Sequence, residues 1–172
     1  MPVYALGDLR PRIDPAAYLH PDAVVIGDVR IGAHSSIWPA AVLRGDAGYI
    51  EIGQRTSIQD GTVVHTTEEW PTLIGSDCVV GHNAHLEGCQ VGDGCLVGSG
   101  SIVLNRARLE PGAGVAAAAL VSEGSVVPAG QIAVGVPARP RPAPELSAWV
   151  DEAVRHYLEL AERFQAGLRR IG

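Results

Sequence analysis

Aromatic side chains are scarce in this 172-residue chain, at 5% of all residues, and phenylalanine occurs only once. The hydrophobic core must therefore be built mainly from small and aliphatic side chains, which supply most of the 47% hydrophobic content. The 21 glycines and 12 prolines indicate many turns. This length and composition predict one globular domain with a repetitive architecture.

Positive charge is also scarce. The chain has 13 lysine and arginine residues against 19 aspartate and glutamate residues, so its formal net charge is −6. Proteins that bind nucleic acids or anionic membranes usually carry a basic surface, and this charge balance argues against one. We therefore expect no nucleic-acid partner.

Long apolar runs are missing as well. No segment approaches the ~20 consecutive apolar residues of a membrane span, and the opening MPVYALGDLRPRID lacks the basic start and apolar stretch of a secretory leader. The three cysteines include no CxxC pair and give no disulfide framework. The sequence therefore predicts a soluble, cytoplasmic protein without a membrane partner.

The chain does contain an aliphatic residue at every sixth position over long stretches, with a small residue two positions before nearly every one of them. This period is the signature of a hexapeptide repeat. The aliphatic series are Val25, Ile31, Ile37 and Leu43; Ile52, Ile58 and Val64; Ile74, Val80 and Leu86; and Val91, Val97, Val103, Leu109, Val115, Val121 and Val127.

A six-residue unit makes a short strand and a turn, which is too small to bury its own aliphatic side chain. Three units form one coil, and stacked coils bury these side chains in one column, with residues eighteen apart above one another. The repeat thus predicts an all-β fold, a parallel β-helix of triangular section, although it does not define the hand of the coil. Cys78, Cys89 and Cys95 occupy the small inward position, so we expect core residues rather than reactive thiols.

The repeat ends at Val136 and defines a β-helix domain over residues 1–136. The segment PARPRPAP, residues 137–144, reads as a proline-rich linker. Apolar residues then recur at intervals of three and four, which predicts one amphipathic C-terminal helix over residues 145–171. We expect this helix to pack on the flank of the β-helix.

An interruption of the repeat determines which polar residues lie above one another. Val64 and Ile74 are ten positions apart instead of six, so the segment HTTEEWPT (65–72) contains an insertion of four residues, and we expect this to be the one break in the ladder. His65 and Glu87 are 22 positions apart, which becomes eighteen, one full coil, once the insertion is discounted. We therefore expect His65 and Glu87 to be neighbours on the same outward face.

The stretch GHNAHLEGC (81–89) adds two histidines to this pair. His85 points outward on the strand of Glu87, roughly 7 Å along it. His82 falls near a corner between faces, from which it reaches a neighbouring subunit more easily than Glu87 of its own chain. Two imidazoles and a carboxylate suit zinc, ferrous iron or cobalt with an open position for water, which the metal makes acidic.

A solvated surface cluster is the alternative to a metal site. Polar residues at comparable turn positions of the preceding units favour the metal site, because the faces of this coil otherwise carry few such side chains. These residues are Arg44, Asp46, Gln59 and Asp60.

Several segments together form a specific pattern: RGD (44–46), SIQDGTVVH (57–65), VGHNAHLEGC (80–89), VGSGSIVL (97–104) and VGVPA (134–138). This pattern resembles the gamma-class carbonic anhydrase family of the hexapeptide-repeat superfamily, over nearly the whole chain. The resemblance implies a left-handed β-helix that assembles as a homotrimer. It also implies three metal sites between subunits, each with two ligands from one chain and one from its neighbour.

The resemblance further implies a role for each matching residue. His65 and His82 match metal ligands, Arg44 and Asp46 match a pair that links subunits, Gln59 matches a residue near the metal-bound water, and Asp60 matches the acid beside it.

The third ligand departs from the family pattern. The family has histidine where this chain has Glu87, and the additional His85 stands where an aliphatic residue is common. Three outcomes stay open: Glu87 binds the metal, His85 takes its place after a local shift, or the site has lost its metal. The proton path also differs, because Glu68, or equally Glu69, fits the spacing of the shuttle glutamate, whereas the second acidic partner is replaced by Ala47.

The resemblance implies that metal-bound hydroxide, positioned by Gln59, converts carbon dioxide to bicarbonate, while Glu68 passes the proton to solvent. Zn²⁺ is the expected metal, with Fe²⁺ or Co²⁺ as alternatives, and the two departures predict slow turnover. One rival function is acyl transfer from acyl-coenzyme A, for which His34 or His20 would be the spare base. The other is a trimeric scaffold or small-ligand-binding protein without catalysis.

Overall fold

The computed structural model describes residues 2–172 as a left-handed parallel β-helix of about seven turns, followed by an α-helix. The strands are β1 (Val3–Tyr4), β2 (Arg12–Ile13), β3 (Tyr18–Leu19), β4 (Val24–Ile31), β5 (Ser36–Ile37), β6 (Val42–Ile52), β7 (Ser57–Ile58), β8 (Val63–His65), β9 (Thr72–Ile74), β10 (Val79–Val80), β11 (His85–Glu87), β12 (Gln90–Val91), β13 (Leu96–Val97), β14 (Ile102–Val103), β15 (Arg108–Leu109), β16 (Gly114–Val115), β17 (Leu120–Val121), β18 (Val126–Val127), β19 (Gln131–Gly135) and β20 (Ala138–Pro142), and the helix is α1 (Leu146–Gly167).

The aliphatic residues of the repeat stack from coil to coil. Ile58 pairs with Val80, Val80 with Val97, and Val97 with Val115, and all four side chains are fully buried. The pairing is parallel because each coil returns to the same face in the same direction. The predicted hexapeptide β-helix is therefore confirmed.

The coil has three faces, which we call the first, second and third and define by the strands they contain. The first face contains β8, β11, β14 and β17, the second contains β9, β12, β15 and β18, and the third contains β7, β10, β13, β16 and β19. The long strand β6 continues from the first face into the second, since it pairs with both β8 and β9. Side chains that alternate along each short strand point into the core and out to the surface.

The repeat has more than the single break that the sequence predicts. The four-residue insertion between β8 and β9 is present, but β6 also carries three extra residues opposite a register shift in β4. Ile74 pairs with Val91, so the coil after the insertion is one residue shorter than a regular one. The expectation of one break was wrong, although the nine-residue interval from Leu43 to Ile52 carried the signal for a second.

The segment predicted as a linker contains a strand. Within residues 137–144, β20 turns back and pairs antiparallel with β19, the last strand of the third face. Proline is compatible with such an edge strand when its missing N–H group points away from the partner. The helix is also shorter than expected, since α1 ends at Gly167 and the chain beyond it is extended.

The helix α1 lies on the third face. Leu146 and Val150 belong to a buried cluster with Val79 of β10. Further along the helix, Tyr157 and Phe164 pack on Trp38, with ring centroids 5.6 and 5.1 Å apart. These contacts hold α1 along the flank of the coil at both ends. No helix among residues 2–172 combines the length and apolarity that a bilayer span requires.

The three cysteines are free and buried, in agreement with their predicted role in the core. Burial raises the pKa of Cys78 and of Cys89 to about 12 and that of Cys95 to about 11. A thiol with a raised pKa stays protonated at neutral pH, and the thiolate is the reactive form.

We expect all three thiols to resist alkylation or disulfide exchange in the folded protein. With a pKa of about 12, only about one thiol in ten thousand is ionised at pH 8. Titration with a coloured thiol reagent at pH 8 should detect no fast-reacting group before denaturation and three groups per chain after it. Rapid labelling of the native protein would contradict this account of the core.

Candidate metal centre

Three successive coils place polar side chains at one edge of the first face. Arg44 on β6 pairs with His65 on β8, and His65 pairs with Glu87 on β11. Each residue directly follows a buried aliphatic residue, so its side chain points outward. The predicted alignment of His65 with Glu87 is confirmed.

A chain of polar contacts connects these coils. The Nδ1 atom of His65 lies 3.0 Å from Glu87 Oε1, and its Nε2 atom lies 3.0 Å from Asp46 Oδ1. The second carboxylate oxygen of Asp46 accepts a hydrogen bond from Arg44, and that of Glu87 lies 3.4 Å from His85 Nε2. Acidic and basic groups thus alternate along the whole network.

The network is partly shielded from solvent, since the side chain of His65 is 19% exposed. Burial acts to raise the pKa of Asp46, but hydrogen bonds from His65 and Arg44 outweigh it and hold that pKa below its usual value. Asp46 is therefore a carboxylate at neutral pH. Each ring nitrogen of His65 faces a carboxylate oxygen.

His82 occupies a separate position, at the corner between β10 and β11. Its Nδ1 atom lies 2.9 Å from Asp60 Oδ2, one coil away, and the two side chains are about equally exposed. A hydrogen bond from Nδ1 to Asp60 leaves Nε2 directed elsewhere, and Nε2 has no hydrogen-bond partner within residues 2–172. The predicted corner location of His82 is confirmed.

Three other predicted site residues, Gln59, Glu68 and Glu69, lie outside this network. Gln59 is 4% exposed and lines a cavity together with His82. Glu68 and Glu69 are exposed in the inserted loop, and neither forms an ion pair or a side-chain hydrogen bond within residues 2–172. The structure thus brings Gln59 close to His82 and leaves the predicted shuttle outside the network.

The two spare histidines do not border the cavity beside His82. His20 is buried, and its Nδ1 atom accepts a hydrogen bond from the backbone N–H group of Asp22 at 3.1 Å. His34 is a turn residue with a positive φ of 59°. Both residues therefore have roles in local structure.

Residues 2–172 contain no group of three or more histidine, cysteine, aspartate or glutamate side chains that converge to hold a metal ion within one chain. The donor types nevertheless fit zinc. Two ligands of a tetrahedral zinc ion lie about 3.4 Å apart, so His65 Nδ1 and Glu87 Oε1, at 3.0 Å, need only a small separation to admit an ion. The carboxylates of Asp46 and Asp60 contact the other nitrogens of His65 and His82, as is common for metal-binding histidines.

A column of outward apolar side chains runs beside the network, and the sequence reasoning did not identify it. Val63, Ile102 and Leu120 follow one another on the first face, with His85 between the first two. Val63 and Ile102 are exposed. The signal in the sequence was an aliphatic residue directly before the buried Val64, Val103 and Val121, in a position that the second face often gives to polar residues. The column therefore leaves apolar side chains exposed on the first face.

Comparison with known proteins identifies similar chains. A family model described as bacterial transferase hexapeptide (six repeats) matches residues 71–105. The chain is 39% identical over 163 residues to gamma carbonic anhydrase 2, mitochondrial, of Arabidopsis thaliana, which covers 90% of this chain but only 59% of the plant protein. The chain thus spans about three fifths of the length of that relative.

Two further relatives match at nearly full length. The carnitine operon protein CaiE of Salmonella agona is 36% identical over 170 residues, which cover 98% of this chain and 86% of CaiE. The crystal structure of a hexapeptide transferase family protein from Anaplasma phagocytophilum superposes with a TM-score of 0.91 at 36% identity, over 95% of this chain and 98% of the other.

Proposed function

Because this chain belongs to the gamma-class carbonic anhydrase family of hexapeptide-repeat proteins, we propose that it is a metal-dependent enzyme that hydrates carbon dioxide to bicarbonate at sites between subunits. The observation that carries the proposal is the contact between His65 and Glu87 from adjacent coils, at the outward edge of the first face. The activity of the longer plant relative supports this reaction, and the chain's own donors supply the ligand types that it needs.

The metal site is assembled from two copies of the chain. His65 and Glu87 supply two ligands from one subunit, and His82 of a neighbouring subunit supplies the third. Members of the family are trimers, so we infer a homotrimer for this protein. The apolar column on the first face supports this assembly, because Val63 and Ile102 would be removed from water in the contact.

A bound zinc ion, or ferrous iron or cobalt in its place, would supply activation of water near neutral pH. The chain's own residues prepare the site. Asp46 and Asp60 orient the rings of His65 and His82, each by accepting a hydrogen bond from the nitrogen that is not a ligand. The buried amide of Gln59 holds water or carbon dioxide beside His82, and Glu68 in the exposed loop hands protons to solvent.

Two features of the site predict slow catalysis. Glu87 adds a negative charge where the family has a neutral imidazole, which makes the ion less electrophilic. Ala47 replaces the second acidic residue of the proton path, so proton removal falls to the loop glutamates, Glu68 or Glu69. We therefore expect carbonic anhydrase activity that is well below that of members with three histidine ligands.

We expect the purified protein to contain about one zinc or iron ion per chain, and Glu87→Ala to abolish this content. Elemental analysis of both proteins, produced with ample metal, measures it. Glu123→Ala is the matched control, since Glu123 is an exposed carboxylate paired with Arg106 away from the site. A parent protein without metal would contradict the proposal, and metal retained in Glu87→Ala would identify His85 as the ligand instead.

We expect Glu87→His to increase carbon dioxide hydration by about tenfold or more, because a neutral ligand leaves more positive charge on the ion. Stopped-flow measurement of proton release compares this variant with the parent at equal metal content. Unchanged activity in a variant that is folded and fully loaded with metal would show that Glu87 does not limit the reaction.

We expect Ile102→Glu to dissociate the trimer, because it places a charge in the apolar column of the first face. Val126→Glu on the second face is the control, since Val126 is 41% exposed and Ile102 36%. Light scattering coupled to size-exclusion chromatography gives the number of chains. Loss of the trimer in both variants, or in neither, would contradict the assignment of the first face to the interface.

A further inference from the structure

A cavity of about 750 Å³ lies between the helix α1 and the corner that carries His82. One side is the third face of the β-helix, where Val79 and Leu96 lie on neighbouring coils and Ile132 lies two coils beyond Leu96. The opposite side is the flank of α1, which contributes Trp149 and Ala153. The walls of the cavity are therefore mostly apolar.

Small residues at the corner make room for the cavity. Gly81, Gly98 and Ala116 occupy the same position on three successive coils and line it along its length. The helix does not fill this space, because its buried contacts are made by a neighbouring stripe that includes Leu146 and Val150. A slot with backbone and methyl groups along its floor is thus open beside the candidate metal centre.

Polar side chains line the cavity both near His82 and on the helix side, where Glu152 and His156 contribute. The side chain of Gln59 is more than nine-tenths buried, lines the cavity, and has no hydrogen-bond partner within residues 2–172. The hydroxyl of Tyr157 and the Nε2 atom of His82 likewise make no hydrogen bond within that part of the chain. Burial and the nearby Asp60 raise the pKa of Tyr157, so its hydroxyl remains a donor at neutral pH.

This arrangement is larger than the proposed reaction requires. A volume of 750 Å³ falls within the roughly 300–1,000 Å³ of small-molecule sites, whereas carbon dioxide has only three atoms. The side-chain amide of Gln59 makes no hydrogen bond within residues 2–172, so it is available to a ligand. The cavity therefore has both the space and the available hydrogen-bonding groups of a binding site for a larger molecule.

We infer that this cavity binds a small carboxylate with an aliphatic chain, its head at Gln59 and Tyr157 and its chain along the corner toward Trp149. The amide and the hydroxyl donate hydrogen bonds to the carboxylate, and the apolar walls remove the chain from water. This inference goes beyond the proposed function, since binding in the cavity requires neither the metal nor carbon dioxide.

The test is isothermal titration of the purified protein with acetate, butanoate, hexanoate and octanoate, with the metal content of each sample measured separately. We expect affinity to rise by up to about fourfold for each added methylene, because each one buried contributes about 0.8 kcal/mol. Acetate should bind too weakly to detect, which separates a chain held in the cavity from a carboxylate held only by a metal. Octylamine and octanol should bind at least tenfold more weakly than octanoate.

Two variants locate the site. Ala117→Phe fills the cavity from an exposed corner position and should reduce octanoate affinity at least tenfold, while Ala166→Phe, the same change on an exposed part of α1 outside the cavity, should leave it unchanged. Gln59→Leu should remove the preference for octanoate over octanol. Ser99→Leu, at another exposed lining position, replaces Ala117→Phe if that variant fails to fold.

The inference is overturned by an absence of saturable octanoate binding, by equal binding to the parent and to the folded filling variant, or by octylamine that binds as well as octanoate. Each of these results is independent of whether the protein contains metal. Failure of the cavity inference is thus distinguishable from failure of the proposed carbonic anhydrase function.

Discussion

The vertical stacking of equivalent positions on neighbouring coils is the constraint on which this molecule depends. Parallel pairing sets adjacent coils about 4.8 Å apart, so two side chains at the same register position are in contact. His65 and Glu87 meet for the same reason that Val64 and Leu86 meet one layer deeper. A shift of one residue between them would send Glu87 into the core, which is why the insertion between the strands is confined to a surface loop.

The same stacking divides the site into two parts. The edge of the first face carries a network of alternating acidic and basic side chains, whereas the corner carries His82, whose Nε2 atom has no hydrogen-bond partner within residues 2–172. Glu87 contacts two histidines of its own chain, His65 at 3.0 Å and His85 at 3.4 Å. A histidine at that position would offer these two rings no carboxylate.

The fold and half of the site could be predicted from the sequence because both depend on counting. The six-residue period defines which side chains are inside, and subtraction of the loop aligns His65 with Glu87. The cavity beside Gln59 could not be found in this way, since it depends on where α1 rests, and the contacts of Trp38 with Phe164 determine that position. The second break in the repeat, in β6, could have been predicted, because the nine-residue interval from Leu43 to Ile52 is visible in the sequence.

The strand β20 has a consequence for the behaviour of the molecule in a crowded solution. A parallel β-helix ends in an exposed strand, and such an edge can template the addition of another chain and start fibre growth. Here the edge is covered by β20, in which Pro140 and Pro142 alternate with arginines. The backbone N–H of Ala143 points inward to Gly130, so both prolines present their nitrogens on the opposite side, where no hydrogen is available for an incoming strand. On the third face, the last coil is therefore protected against the addition of another strand by the residues that interrupt the repeat.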